Sequence, residues 1–426
     1  MFHLKKIWDR MWFQSETTLP LDVIRIGLGM MLLFNYVSLL PYLHEFYGDQ
    51  GWVSRSAIYA YEQSPWHQSI FFYLDKPWQW NIVSYFFIMT CIMFTLGWKT
   101  RWVKWLVFAG HISFAYRNPV ITYGVDGILS SGLFLVCLAP IGQTLSLDRW
   151  LAVYQAKRLD LEAPTPIRES NYIFPFRRLL QIQMAIFFLF SAIEKLRGNT
   201  WWSGDALWVA LNNYEFANIP ITWLAENYWL VNMLTFSTLL LEAGYFFLIW
   251  QRSTRPYFLI AAIFLHLGIA IMLGLYLFSA TMIICHLSFM RREWYQQSGE
   301  WWRNKTGSME MIYDGHCGFC KNAMAWLLAF DGLNQIQIRD YRTNPSPLVT
   351  DELMDKALYL IPGNREPLPG FDAYRYAVLR LPGLWWLIPL FYIPVFSRFF
   401  GRRIYNWIAS HRQQISQCTV PTADNG

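Results

Sequence analysis

The chain has 426 residues, of which 54% are apolar, 19% aromatic and only 15% charged. A soluble protein of this length carries about a quarter charged residues, so the deficit excludes an ordinary water-soluble enzyme and points to lipid. The net charge of +6 is gathered in particular loops and forms no basic face interleaved with aromatics, which excludes a nucleic-acid footprint, and six cysteines with one close pair exclude a disulfide-stapled scaffold.

The first 19 residues are charged and amphipathic, with neither a short apolar core nor a small-residue cleavage site, and read as a retained interfacial helix. A transmembrane domain over 20–292 follows. Since about 20 apolar residues cross a bilayer core, eight segments qualify as spans: about 20–41, 79–97, 102–116, 124–141, 177–195, 228–250, 257–273 and 275–290. The third and eighth are short. Lys5, Lys6 and Arg10, then Lys99 and Arg101, then the basic residues from Arg149 to Arg178, then Arg252 and Arg255, then Arg291 and Arg292 all fall on one side of an eight-span bundle. The positive-inside rule assigns that side, and both termini, to the cytoplasm. Loops 42–78 and 196–227 would cap the outer face.

From Met309 the pattern becomes soluble α/β. MIYDG (311–315) reads as a buried strand, CGFCKNAMAWLLAF (317–330) as a helix, QIQIRDY (335–341) and KALYLIP (356–362) as strands, the last turned by Gly363 and Asn364, and GFDAYRYAVLRLP (370–382) as a closing helix. With a further strand before that helix, the order is thioredoxin-like. The expected fold class is therefore a polytopic α-helical membrane bundle of about eight spans followed by a small thioredoxin-like domain over 309–413, with a flexible tail over 414–426. The apolar run 384–396, broken by Pro389 and Pro394, reads as domain core, with the inner membrane surface as the alternative.

Cys91, Cys137 and Cys285 lie in apolar runs and read as small buried hydrophobes, and Cys418 lies in the polar tail. Cys317 and Cys320 stand one turn apart at a helix start, where unpaired N–H groups favour a thiolate. Cys317 is expected to attack and Cys320 to resolve, with a protonated His316 favouring the thiolate further. The alternatives are half of a zinc site, for which only the scattered His411 and Cys418 remain as ligands, and a structural remnant without redox activity. No metal is expected. Tyr313-Asp314-Gly315-His316-Cys317-Gly318-Phe319-Cys320 resembles the DCC family of thiol-disulfide oxidoreductases, whose signature is Asp-Gly-x-Cys-x-x-Cys. Gly370–Pro382 and Tyr405–Arg412 are similar to it as well. The resemblance covers about 309–413 and implies redox exchange by Cys317 and Cys320, supported by Asp314 and His316, with a thiol or disulfide partner.

Ionisable residues inside a bundle are costly and default to functional candidates. They are Asp22, Arg25, His111, Asp126, Glu194, Lys195, Glu242 and His266. Asp22 and Arg25, three apart, read as a structural ion pair. Glu242 and His266 are expected to pair with each other or with Lys195. Lys195 itself either snorkels to the interface or acts as a desolvated base. Phe190-Ser191-Ala192-Ile193-Glu194-Lys195-Leu196 with Trp201 and Gly204 resembles an element of vitamin K-dependent gamma-carboxylase and its bacterial HTTM relatives. DVIRIGLG (22–29), Asn118, YGVDG (123–127), SLDR (146–149) and the stretch from His266 to Met282 fit the same resemblance, which covers about 15–290. It implies that Lys195 deprotonates a reduced quinone, with His266, Glu242 and Glu194 in support, and that the chain resides in a bacterial inner membrane. The function expected is a membrane-bound thiol-disulfide oxidoreductase whose bundle, in contact with membrane lipids, holds a quinone or another hydrophobic substrate. The rivals are a carboxylase-like or lyase enzyme with a regulatory redox domain, and a non-enzymatic transporter or lipid-binding module.

Overall fold

The structure, a computed structural model, describes all residues except 1, 62–63, 65, 163–166, 214, 216–217, 220–221, 364–365, 395–396, 398–400 and 416–426. Cys418, Asn364 and all of the expected tail beyond residue 415 therefore lie outside the described residues. The chain divides into two compact units, one of residues 1–148 and 167–290 and one of residues 149–166 and 291–426.

The first unit is helical. A short amphipathic helix, α1 (Phe2–Trp12), turns Ile7, Trp8 and Met11 outward beside Lys5, Lys6 and Arg10. The eight expected segments each contain a helix: α2 (Leu19–Leu39), α3 (Pro77–Leu96), α4 (Thr100–Arg117), α5 (Gly124–Leu138), α6 (Phe174–Leu196), α7 (Tyr228–Leu248), α8 (Arg255–Leu273) and α9 (Tyr276–His286). Five of these are long and apolar enough to cross a membrane, namely α2 (extended to Tyr47), α3, α6, α7 and α8, and two shorter ones, α5 and α9, are also apolar. Helix α4 is long enough but carries Arg101, Lys104 and Arg117, which dilute its apolar character. The outward faces are lined with uncovered apolar side chains such as Phe34, Leu240 and Phe264, the reverse of a water-soluble bundle.

Close helix approach is built on small residues. A Cβ at Gly29 would fall 2.3 Å from the Thr95 hydroxyl, and one at Gly27 would fall 2.7 Å from the Ile284 side chain. Arg177, counted in the sequence as a loop charge, is instead buried in the first turn of α6. It pairs with Glu16 and donates to the Ser288 and Met290 carbonyls, satisfying the end of the last apolar helix.

The second unit is a four-stranded sheet with helices. β1 (Met309–Tyr313) is followed by helix α11 (Gly318–Ala329), β2 (Ile336–Asp340), β3 (Tyr359–Pro362), β4 (Leu368–Pro369) and helix α12 (Gly370–Arg380). Helix α10 (Arg292–Thr306) precedes the sheet and helix α13 (Arg402–Ile415) follows it. The strand order is β2-β1-β3-β4, with β1 and β2 parallel and the other two pairings antiparallel. The crossover helix α11 is what allows the parallel pair. β1 is central and apolar on both faces, as its MEMIY sequence requires, with Met311 and Ile312 fully buried on opposite sides.

The run 384–396 departs from the core expectation. Leu384 is buried and Leu387, Ile388 and Phe391 pack on the core, but Trp385, Trp386, Leu390 and Ile393 face outward. The two short helical turns over 382–392 place alternate faces of the run in opposite environments.

Candidate active site

β1 delivers the chain into the turn Asp314-Gly315-His316, and Cys317 is the N-cap of α11. Its backbone is extended while the next residue is already helical, so its sulfur faces the exposed N–H groups of the first turn. The Cys320 N–H donates to Cys317 Sγ at 3.4 Å. Both thiols are unbridged and both are buried, at 5% and 7% exposure. That geometry aims a first-turn N–H at the first sulfur and holds the second one helical turn behind it, both packed against the apolar core of the domain.

The turn is locked from the neighbouring strand. Parallel register sets Tyr313 opposite Asp340, so the residues just beyond each strand become neighbours. Asp340 accepts the Gly315 N–H at 2.9 Å and the Arg342 N–H at 3.1 Å. A Cβ at Gly315 would fall 1.9 Å from that carboxylate, so only glycine fits in the Asp-Gly step. The buried Asp314 carboxylate accepts the His316 N–H at 3.0 Å and a two-pronged contact from Arg342 Nε and Nη2, each at 3.2 Å. Arg342 Nη2 also donates to Asp355 at 2.6 Å, where the Tyr341 hydroxyl donates at 2.6 Å. The hydrogen bond to Asp314 holds the Arg342 guanidinium more firmly charged than usual. Burial, with the bond to Asp355, pushes the Tyr341 hydroxyl up. On the other side, burial also pushes up the Tyr374 hydroxyl of α12, with Tyr405 and Cys320 close enough to add to the effect. His316 is exposed beside the pair.

Arg342, Asp340, Asp355 and Tyr374 escaped the sequence reading. The available signal was the charged run Arg339-Asp340-Tyr341-Arg342 at the end of an alternating strand, which a parallel pairing brings beside the Asp-Gly turn. Among the described residues no three His, Cys, Asp or Glu side chains are grouped to hold a metal. His411 Nδ1 lies 2.9 Å from both Ser410 Oγ and the Trp407 carbonyl.

In the helical unit, Asp22 and Arg25 form a wholly buried pair at 3.2 Å. Asp22 accepts the Gly142 N–H at 2.6 Å and the Thr144 and Thr18 hydroxyls at 2.6 and 2.8 Å, and Arg25 donates to the Thr95 carbonyl at 2.8 Å. His111 sits between the Tyr36 hydroxyl at 2.8 Å and Ser130 Oγ at 3.1 Å, a satisfied packing residue. Asp126 caps its own helix through the Tyr123 N–H at 2.9 Å.

Lys195 Nζ lies 2.8 Å from Glu242, donates to Ser191 Oγ at 2.6 Å and stands over the Trp201 ring at 5.3 Å. The contact to Glu242 has the geometry of an ion pair without a directed hydrogen bond. Glu194 points elsewhere, pairing with Arg197 at 3.1 Å in the open. Of the pairings expected for Glu242, the one with Lys195 forms. His266 belongs instead to an aromatic cluster with Phe188, Phe278 and His286, and neither of its ring nitrogens is hydrogen-bonded among the described residues. His286, held by the Tyr245 hydroxyl at 2.8 Å, escaped the sequence reading; it ends α9, the shortest of the eight helices.

Compared with known proteins, the chain matches no curated protein and no solved structure. A family model described as DCC1-like thiol-disulfide oxidoreductase matches residues 311–418, the stretch that opens inside β1 and contains the cysteine turn. Residues 311–418 are a DCC1-like thiol-disulfide oxidoreductase domain attached to a helical unit with five apolar helices long enough to span a membrane.

Proposed function

We propose that the chain is a membrane-bound thiol-disulfide oxidoreductase that works through Cys317 and Cys320. The observation that carries this reading is Cys317 at the N-cap of α11 with the Cys320 N–H aimed at its sulfur. The Cys317 thiolate attacks one sulfur of a partner disulfide, forming a mixed disulfide and expelling one partner thiolate. The Cys320 thiolate then attacks Cys317 Sγ, closing the Cys317–Cys320 bond and releasing the second partner thiolate. The partner gains two electrons and, from solvent, two protons; the protein is oxidised by two electrons. Asp314 and Arg342 hold the turn in register, and the exposed His316 stands where an incoming disulfide passes.

The helical unit is proposed to sit in an inner membrane as an eight-span bundle with both termini cytoplasmic, α4, α5 and α9 supplying the three shorter spans. The one-sided distribution of Lys and Arg supports this orientation. Substituting Cys317 by Ser in the purified full chain should abolish reduction of a model disulfide, while Lys195→Ala should leave it in place. An unchanged rate in the Cys317→Ser protein would refute the reading.

A second reading rests on the Lys195, Glu242 and Trp201 cluster and on the resemblance to gamma-carboxylase and HTTM proteins. Here Lys195 is a base toward a hydrophobic substrate such as a reduced quinone, and the redox domain only regulates. This reading requires that Lys195→Ala remove turnover and that a Cys317→Ser/Cys320→Ser double variant retain it.

A further inference from the structure

The redox domain carries an apolar face that its own fold does not cover. Trp294, Gln297, Ser298, Trp301 and Trp302 recur on one side of α10 at helical spacing. With Leu333, Pro382 and Trp385 they line an open groove of about 720 Å³. Trp386, next to Trp385 in the chain, and Leu390 and Ile393 beyond it are also exposed. Trp302 Nε1 donates to the Arg380 carbonyl at 2.8 Å and Trp385 Nε1 to the Leu379 carbonyl at 3.1 Å, so their polar edges are spent internally and their apolar faces are presented. An α/β domain in water rarely leaves so much aromatic surface open.

Three observations say what covers it. Helix α10 begins at Arg292, within three residues of the end of the last apolar segment at Phe289, so a short covalent link tethers the start of this helix to that segment. Arg291, Arg292, Arg303 and Lys305 flank the α10 tryptophans against only Glu293 and Glu300, and the segment 373–393 that contributes Trp385 holds Arg375 and Arg380 and no acidic residue. Lys305 Nζ stands 4.8 Å over the Trp301 ring, leaving a cation at the edge of an aromatic surface. Tryptophan with neighbouring arginine and lysine is the side-chain chemistry of an anionic membrane interface.

We propose that this tryptophan face is the membrane-docking surface of the redox domain and that it seats on anionic lipid headgroups. The docking has a geometric consequence for the cysteines. The groove lies at the C-terminal end of α11, where Phe330 meets Gly383 and where the Met309 N–H donates to Gln335, whereas Cys317 caps the N-terminal end of that helix. The 12 residues of α11 separate the two ends by about 18 Å. Docking through the groove therefore turns the cysteine turn away from lipid, toward a water-soluble thiol partner.

The test uses the full chain reconstituted in vesicles of mixed phosphatidylcholine and phosphatidylglycerol, with Trp386 replaced by the photo-crosslinker p-benzoylphenylalanine. Leu348, exposed beyond the C-terminal end of β2 and so at the cysteine end of the sheet, is replaced in a second protein as the control. The expected result is a lipid adduct at position 386, a background signal at position 348, and loss of the adduct in vesicles of phosphatidylcholine alone. An adduct between position 386 and another protein segment or a second copy, equal lipid adducts at both positions, no adduct at 386, or no dependence on anionic lipid would each overturn the proposal. Trp386 is 66% exposed, so its replacement leaves the core intact.

Discussion

In the helical unit, Asp22 and Arg25 are wholly withdrawn from solvent and surrounded by backbone and hydroxyl partners, while in the redox domain Asp314 and Arg342 lie beside an exposed histidine at the rim of the cysteine turn. The first pair lies within one helix, and the second joins the two turns that follow neighbouring parallel strands. The first seals a helix to the loop at 142–145 and leaves nothing for a ligand to contact. The second holds the turn that precedes Cys317 while keeping part of the guanidinium open. The closed pair serves structure, and the half-open one beside the cysteines marks where a test of chemistry belongs.

Four substitutions sharpen that contrast. Asp22→Ala leaves Arg25 buried without its counter-ion and should cost about 3–5 kcal/mol; the yield of folded protein in detergent should collapse, and near-normal yield would break the structural reading. Gly315→Ala pushes a methyl group against Asp340 and should cost about 1–3 kcal/mol. Hydrogen exchange in the full chain should speed up across β1 and the start of α11 while α2 and α3 stay unchanged.

Asp331 gives a pH-dependent test. Burial raises its carboxyl above the ordinary range despite the N–H groups of Gln335 and Ile336. Because the folded state binds the proton more tightly than the unfolded chain, the stability this group contributes is present at low pH and falls as pH rises from the ordinary carboxylate range through the raised one. Asp331→Asn should flatten that slope in the redox domain. Glu194→Ala removes an exposed pair with Arg197 and should change stability by less than about 0.5 kcal/mol; a larger loss would mean that Glu194 has a role beyond this contact.

The redox domain was largely legible in the sequence because its signals are local. Alternation marks β2, the apolar run marks β1, and the cysteines mark the helix start that follows. Its electrostatic frame was not legible: Asp314 finds Arg342 only through the parallel register, and Asp355 lies in a stretch with no strong periodicity. In the helical unit, helix positions followed from hydropathy, and Lys195 with Glu242 could be named as partners. Span number was less accessible, since α4 mixes charge into its apolar run and α5 and α9 are short. Arg177 shows the limit of reading charge by position, because a basic residue beside a span looks topogenic until Glu16 and the Ser288 carbonyl are seen around it.

The central claim is that Cys317 and Cys320 form a working dithiol-disulfide couple. Its most direct test is the reduction potential of that pair in the purified full chain, measured by thiol trapping across a series of glutathione and dithiothreitol poises, with peptide mapping to separate Cys91, Cys137, Cys285 and Cys418. The account predicts a two-electron transition between the values of thioredoxin and the glutaredoxins, about −270 to −200 mV. A pair that forms no disulfide at any poise would contradict it.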